Sequence, residues 1–506
     1  MLSQALEFHI AWLDLPASFD ITETLVFDYH DHNHDGVPDN DDYFDLRNRL
    51  NLKLAVERFT FAFRFDSATF FDEPAPAPGR SPYLDRYAPE KMSASWSGDD
   101  LRVELGDFYA SIGRGSALSI RKTDQLGEDT TLLGGKLRYR FGDLELGLLS
   151  GLSNPSNMDL YEKTLADPYD LVSAAQAKLR LFDSLDASLH AVHFLFNAAD
   201  LNDQAYLLPE QTWIAGAGLS VTDLAGWAIL AGEVNALGRH LQPFIGQEEG
   251  DFQQGWAGYL SASVYLGDFT VLAEFKATDD FHAFSKTPSD DGQHNIVRLD
   301  YLRPPTLEPE AMEVSNTTDV TGGRFRVDWR PGAANTVVFA STAAFVAQDA
   351  SAGERLISHH RLGAEQRFWG SGRALLAAGL REEHPDYAFG HHVHLVYVDA
   401  EVKVPISERH SLELHGTHWK LHELMPNRDF HKGEWTLGYA WSPWFNASLL
   451  FGYDNSPSGG ESFAVFHRQG DDEPERQLFL AGSLSLNLWS HVQLRLLFGQ
   501  LRGGLK

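Results

Sequence analysis

The chain has 506 residues, with 41 Lys and Arg against 71 Asp and Glu, a formal charge of −30, and no cysteine. That balance excludes a phosphate-neutralising nucleic-acid surface, which needs a Lys/Arg excess. The missing thiols exclude disulfides, thiolate metal sites, haem attachment and a cysteine nucleophile.

The opening "MLSQALEFHIAWLDLPASF" has neither a basic start nor an apolar core followed by a small-residue cleavage site, so no signal peptide is expected. Leu6, Phe8, Ile10 and Trp12 instead alternate as a first strand. The first long connection, "DYHDHNHDGVPDNDD", places Asp31, Asn33, Asp35, Gly36, Val37, Asp39 and Asp42 at positions 1, 3, 5, 6, 7, 9 and 12 of a calcium loop. Carboxylates at alternate positions converge on a hard cation, Val37 offers its carbonyl and Gly36 the sharp turn. Two readings stay open, a structural Ca2+ and an acidic solvated loop. His30, His32 and His34, on one side of the same extended stretch, offer imidazoles to a transition metal instead.

Beyond it, Leu46, Leu50, Leu52 and Leu54 oppose Arg47, Arg49, Asn51 and Lys53. Phe59, Phe61, Phe63 and Phe65 oppose Thr60, Ala62, Arg64 and Asp66. In "SIGRGSALSIRKTDQLGED" Gly113 and Gly115 permit tight backbone. Arg114, Arg121 and Lys122 line a constriction if this loop folds inward and are ordinary surface cations if it does not. Lys136, Arg138 and Arg140 share one face of the segment that reaches the two-residue turn Gly142–Asp143, and Gly267–Asp268 repeats that turn. Near the end, Val396, Val398, Ala400, Val402 and Val404 oppose Tyr397, Asp399, Glu401 and Lys403. Val492, Leu494, Leu496 and Phe498 alternate with Gln493, Arg495 and Leu497.

Short turns near Pro16, Glu57, Asp99, Gly142, Asp183, Asp223, Gly267, Pro331, Gly370, Glu408, Pro443 and Ser490 alternate with longer polar connections, among them 113–131, 278–320, 347–357 and 422–430. A meander with short turns at one end and long loops at the other is an up-and-down barrel, and aromatic residues crowd the short-turn end as at a membrane interface. The expected fold is all-β: a transmembrane antiparallel up-and-down β-barrel of about 24 strands (range about 22–26), or about 26 if one strand is lacking at each end. It forms a single domain over 1–506 with no separate amino-terminal plug. A soluble propeller or sandwich array is the alternative. It does not account for the segregated loop lengths or for rows of cations along single strands.

The segments "YFDLRNRLNL", "GDFYASIGRGSALSIRK", "RPPTLEPE" and "DVTGGRFRVDWRP" resemble large outer-membrane β-barrels of Gram-negative bacteria, and within them a poorly characterised porin-like family of myxobacteria and relatives. The resemblance brings no catalytic residues, and the sequence holds no Ser/His/Asp arrangement, phosphate-cradling loop or paired carboxylates that would make an enzyme.

The expectation is therefore a passive channel in the bacterial outer membrane, surrounded by lipid and passing small hydrophilic solutes. Arg47, Arg49, Lys53, Arg64, Arg138, Asp399, Glu401 and Lys403 wet its lumen or form inter-strand ion pairs. The second reading is a sheath or scaffold around a periplasmic or surface protein, for export, surface assembly or electron transfer. His359, His360, His391, His392 and His394 lie in or beside long loops, and the sequence assigns them no pairing. Nor does it specify an oligomeric state.

Overall fold

The computed structural model describes residues 2–10, 15–30, 43–72, 85–123, 128–155, 170–196, 209–241, 252–283, 301–308, 319–332, 335–349, 353–369, 371–385, 393–423, 428–455, 477–489 and 492–499. Its first strands are β1 Leu2–Ile10, β2 Leu15–His30, β3 Tyr43–Val56, β4 Phe59–Phe71, β5 Arg86–Ser97, β6 Leu101–Phe108, β7 Ala110–Ile112, β8 Leu118–Ile120 and β9 Lys122–Thr123. Then follow β10 Glu128–Phe141, β11 Leu144–Pro155, β12 Leu171–Phe182, β13 Leu185–Leu195, β14 Pro209–Leu224, β15 Ala228–Leu241, β16 Phe252–Leu266, β17 Phe269–Asp279 and β18 Asp319–Trp329. The last are β19 Thr336–Asp349, β20 Gly353–Phe368, β21 Gly372–Pro385, β22 Val393–Pro405, β23 His410–Glu423, β24 Arg428–Trp441, β25 Phe445–Asp454, β26 Gln477–Trp489 and β27 Val492–Gly499.

One sheet of 25 strands holds all of these except the β7–β8 hairpin. Every long strand pairs antiparallel with its chain neighbour, and β6 skips the small strands to pair with β10. The twenty-fifth member is the two-residue β9, laid against the start of β10. First and last strands meet at one residue pair, Leu2 with Val492, so among the described residues the seam is touched at a point rather than zipped along its length.

The turn chemistry read from the sequence is in place. Phe141 pairs with Leu144 and Leu266 with Phe269, and Gly142 and Gly267 at the first turn position take φ of 56° and 60°. That is the position and sign a tight hairpin reserves for glycine. Two of the expected long connections contract: β19 and β20 leave only 350–352 between them, and β23 and β24 only 424–427. Gln348, Asp349, His422 and Asp429 belong to strands because a backbone ladder continues wherever partners exist, whether or not the side chains are apolar.

The two faces of the wall are inverted relative to a soluble protein. Leu362 and Leu376 are each 61% exposed and Leu260 57%, all pointing away from the lumen, while inward positions include Arg361 on β20, Arg373, Arg381 and Glu383 on β21, and Tyr259, Ser261 and Ser263 on β16. Aromatic side chains mark both ends of this apolar band. On β4, Phe59 and Phe61 stand exposed at the short-turn end and Phe71 at the other. The twelve steps from Phe59 to Phe71, at about 3.4 Å each and a tilt of about 40°, cover about 30 Å. Trp227, Tyr265, Trp329 and Trp441 extend the lower girdle, and Phe27, Tyr29, Trp213 and Trp256 the upper.

A strapped lumen as candidate functional site

The largest buried apolar cluster lies inside the ring of strands. Ala110, Ile112, Ala117, Leu118 and Ile120 of the β7–β8 hairpin pack there on Leu132, Leu149, Val172, Val192 and Phe194 of the inner wall. The region 113–131 thus begins with an inward fold. Its polar tip is fixed by a cross-lumen network. The Arg114 backbone N–H donates to Glu233 Oε2 at 2.8 Å and the Ser116 hydroxyl to Oε1 of the same carboxylate. Asn235 Nδ2 donates to Ser116 Oγ at 3.0 Å and to Glu233 at 2.9 Å, and His190 Nε2 lies 2.6 Å from Asn235 Oδ1. Ser116, Glu233 and Asn235 bind one another, as burial demands, while the Nδ1 of His190 is buried without a hydrogen-bond partner among the described residues.

A second inward piece, 301–308, runs beside the hairpin. Ser119 N–H donates to Tyr301 O and Arg303 N–H to Gly115 O, both at 2.8 Å, and Tyr301 N–H donates to Ala283 O at 3.0 Å. Gly115 is required at this junction, since its φ is +88° and a Cβ would stand 2.7 Å from Arg303 O. Tyr301 is fully buried, its ring 5.2 Å from that of Phe194, and its hydroxyl donates to Asp170 Oδ2 at 2.6 Å. Six residues on, Leu307 packs with Val320, Phe345 and Ile357, and the next residue, Glu308, reaches β21 and β20. Arg381 donates to both Glu308 oxygens, while His359 Nδ1 lies 3.3 Å from Oε1. The segment is a strap anchored at one end on the β12–β14 wall and at the other on β20–β21.

Glu308 has two opposed influences. Burial alone would raise its pKa, but the His359 contact and the Arg381 guanidinium together hold it below the ordinary carboxylate value. Arg381 also meets Glu383, which lies 3.5 Å from Arg355 Nη1, so two cations and two carboxylates share the anchor. Near the hairpin's root, burial and a hydrogen bond to Asp129 push the Tyr109 hydroxyl well above its ordinary value, leaving it a proton donor. Asp129 in turn meets Arg64 and Lys91.

Of the charged residues singled out in the sequence, Arg47, Arg49, Lys53, Arg64, Arg138, Asp399, Glu401 and Lys403 alternate with the apolar outward positions of their strands, and most are paired. Arg47 meets Asp28 and Asp45, Arg49 lies 3.4 Å from Asp66, and Arg64 donates to Asp66 at 3.0 Å. Arg138 stands 3.7 Å from Glu145, Asp399 accepts from Arg361 at 3.0 Å, and Glu401 from Arg373 at 3.0 Å. Lys53 is exposed, and Lys403 lies opposite Glu413 in the ladder. Arg121 and Lys122 are exposed. Arg114, also exposed, lies 5.7 Å over the Tyr259 ring and helps line a polar recess of ≈ 490 Å³ with Arg140, Lys178, Arg180, Glu145 and Asp186.

Sequence reasoning missed Glu308, Arg381, Tyr301 and Asp170. The only signal was "RPPTLEPE", whose prolines suit an extended strap but do not say where it docks. The calcium-loop positions Asp31, Asn33, Asp35, Val37, Asp39 and Asp42 lie outside the described residues. Among the described residues no group of three or more His, Asp or Glu converges on one metal position.

Against known proteins, residues 4–171 match the model of a family of unknown function, DUF6029. No curated protein matches the chain. Similar solved structures include Pseudomonas aeruginosa OccK3 (OpdO), 12% identical over 74% of this chain and 92% of that one, with a TM-score of 0.41. OccK9 (OpdG) of the same organism is 13% identical over 77% and 98%, TM-score 0.40, and its OpdQ is 11% identical over 74% and 95%, TM-score 0.41. At these values no substrate, selectivity or residue role passes from those proteins to this chain. Nor do the comparisons show the narrower myxobacterial porin-like family suggested by the short segments.

Proposed function

We propose that this protein is a passive channel of the bacterial outer membrane that conducts small hydrophilic solutes past a constriction built by the β7–β8 hairpin and the 301–308 strap. The observation that carries the reading is the inversion of faces. Exposed Leu, Phe and Trp form the outside of the wall, and paired charges with a polar recess form the inside. Water solvates such an outside poorly and lipid solvates it well, while a ring of about 24 strands is too wide for side chains alone to fill. No catalytic role is proposed; among the described residues the inner hydroxyls of Ser116 and Tyr109 are committed to hydrogen bonds with Glu233 and Asp129.

Incorporation of the purified chain into a planar bilayer tests this. Stable stepwise currents are expected, and their absence in every preparation of folded protein would remove the channel reading. It would turn attention to a barrel that sheathes a periplasmic or surface partner. The sequence 31–42 is proposed as a structural Ca2+ loop on the strength of its spacing alone.

A further inference from the structure

At the long-loop end of the outer face, four neighbouring strands set Glu382, His394, His422 and Asp429 in one row. Glu382 is the register partner of His394, His394 of His422, and His422 of Asp429. Directly opposed residues leave a sheet on the same side. Here it is the outer side, because the alternate residues Arg381, Leu395 and Leu421 turn inward. Each imidazole is tied down by the carboxylate flanking it. His394 Nδ1 lies 3.1 Å from Glu382, and His422 Nδ1 lies 2.7 Å from Asp429.

A carboxylate on Nδ1 selects the tautomer with the proton there and makes Nε2 the nitrogen that would ligate, which is the arrangement that orients metal-binding histidines. The two rings stand 6.3 Å apart, centroid to centroid, 31° from parallel. With a metal–nitrogen bond of about 2.0–2.1 Å, a ring centroid sits about 3.2 Å from its metal, so two imidazoles on one ion reach at most about 6.4 Å. The observed spacing is within that limit for a near-linear pair, and a tetrahedral angle is reached when the two rings close by about 1 Å. Lys420, 3.1 Å from the other oxygen of Asp429, and His384, 3.8 Å from Glu382, complete the charged surroundings on this face.

We infer that His394 and His422 form a two-histidine chelate on the outer rim for a borderline divalent transition-metal ion of the Zn2+, Cu2+ or Ni2+ class, with solvent filling the remaining positions. Imidazole pairs favour these ions over Ca2+ and Mg2+, which take oxygen ligands. Two protein ligands rather than three make this a surface site of moderate affinity.

The test uses the full chain in detergent and Cu2+ presented as its nitrilotriacetate complex, whose chelator leaves adjacent positions for a bidentate partner. Bound equivalents are counted by calorimetry, with the Cu2+ electron paramagnetic resonance spectrum recorded in parallel. His394→Ala and His422→Ala should each remove the same one equivalent, and the double variant no more, because a chelate fails when either arm is lost. His422→Gln, which keeps size and polarity, should behave as His422→Ala. Glu382→Gln and Asp429→Asn should keep the stoichiometry and weaken binding about 10–100-fold. Losses that add independently, or binding unchanged in the double variant because the ion sits only on histidines elsewhere, overturn the proposal.

Discussion

Arg381 on the inner wall grips Glu308 of the strap with two guanidinium hydrogens, Nε 2.8 Å from Oε1 and Nη2 3.2 Å from Oε2, and both side chains are only 2% exposed. Breaking one partner of such a buried pair costs about 3–5 kcal/mol when the other is left uncompensated. Here Arg381 keeps Glu383, so the lower end of that range applies. The strap is not a rung of the wall, and the loss falls on its docking rather than on the barrel. Glu308→Gln should raise single-channel conductance at least about twofold while the unfolding midpoint moves little. Unchanged conductance in a folded variant would show that the strap does not narrow the path.

Acid should act on the same contact. The folded Glu308 titrates below the ordinary carboxylate value of 4.5, so its contribution to docking is fully present above that value and is lost as the pH falls through the lowered one. Conductance of the wild-type chain should be flat from neutral pH to about 5 and rise only below the ordinary carboxylate range. In Glu308→Gln this acid-dependent rise should vanish. A rise of equal size in both proteins would assign the effect to other groups.

The junction between hairpin and strap should depend on a single glycine. Gly115 holds φ at +88° with no room for a Cβ beside Arg303 O, whereas Gly142, at φ +56°, has nothing within 4 Å. Gly115→Val should therefore detach the strap from the hairpin and raise conductance, with a cost of about 1–3 kcal/mol from backbone strain and more from the clash. Gly142→Ala carries the strain alone, and its conductance should match wild type. Equal behaviour of the two variants would refute the junction.

The loop 31–42 makes its own prediction. If Asp31 and Asp35 ligate Ca2+, Asp31→Ala and Asp35→Ala together should abolish one calcium equivalent by calorimetry. Any calcium-dependent rise in unfolding temperature should vanish with it. Persistence of that equivalent in the double variant would leave the stretch as an acidic solvated connection.

Period-two alternation placed nearly every strand, because a wall with one apolar face and one charged or polar face makes each residue declare its side. Arg47, Arg64, Asp399 and Glu401 were legible for that reason, and the glycine turns for reasons of φ. The strap was not. Tyr301 and Glu308 belong to a stretch without periodicity, and their partners Asp170 and Arg381 are 131 and 73 residues away. Nothing local distinguishes Arg381 from the other inner-face cations; only its long-range partner does. The row Glu382–His394–His422–Asp429 was hidden likewise, since two of its members lie where strands outrun their apolar pattern.

Whether lipid or water surrounds the wall is decided by charging its outer face. Leu376, 61% exposed near the middle of β21, should meet hydrocarbon, so Leu376→Arg should destabilise the folded chain in vesicles by about 2–4 kcal/mol. Lys53→Glu, on the inner face, should leave the urea midpoint within about 0.5 kcal/mol of wild type and alter ion selectivity instead. In a water-soluble β protein the order reverses: an arginine at an exposed leucine is neutral or improves solubility. Urea titration of both variants in the same vesicles therefore separates the alternatives. A Leu376→Arg midpoint equal to wild type would place the apolar face against something other than lipid.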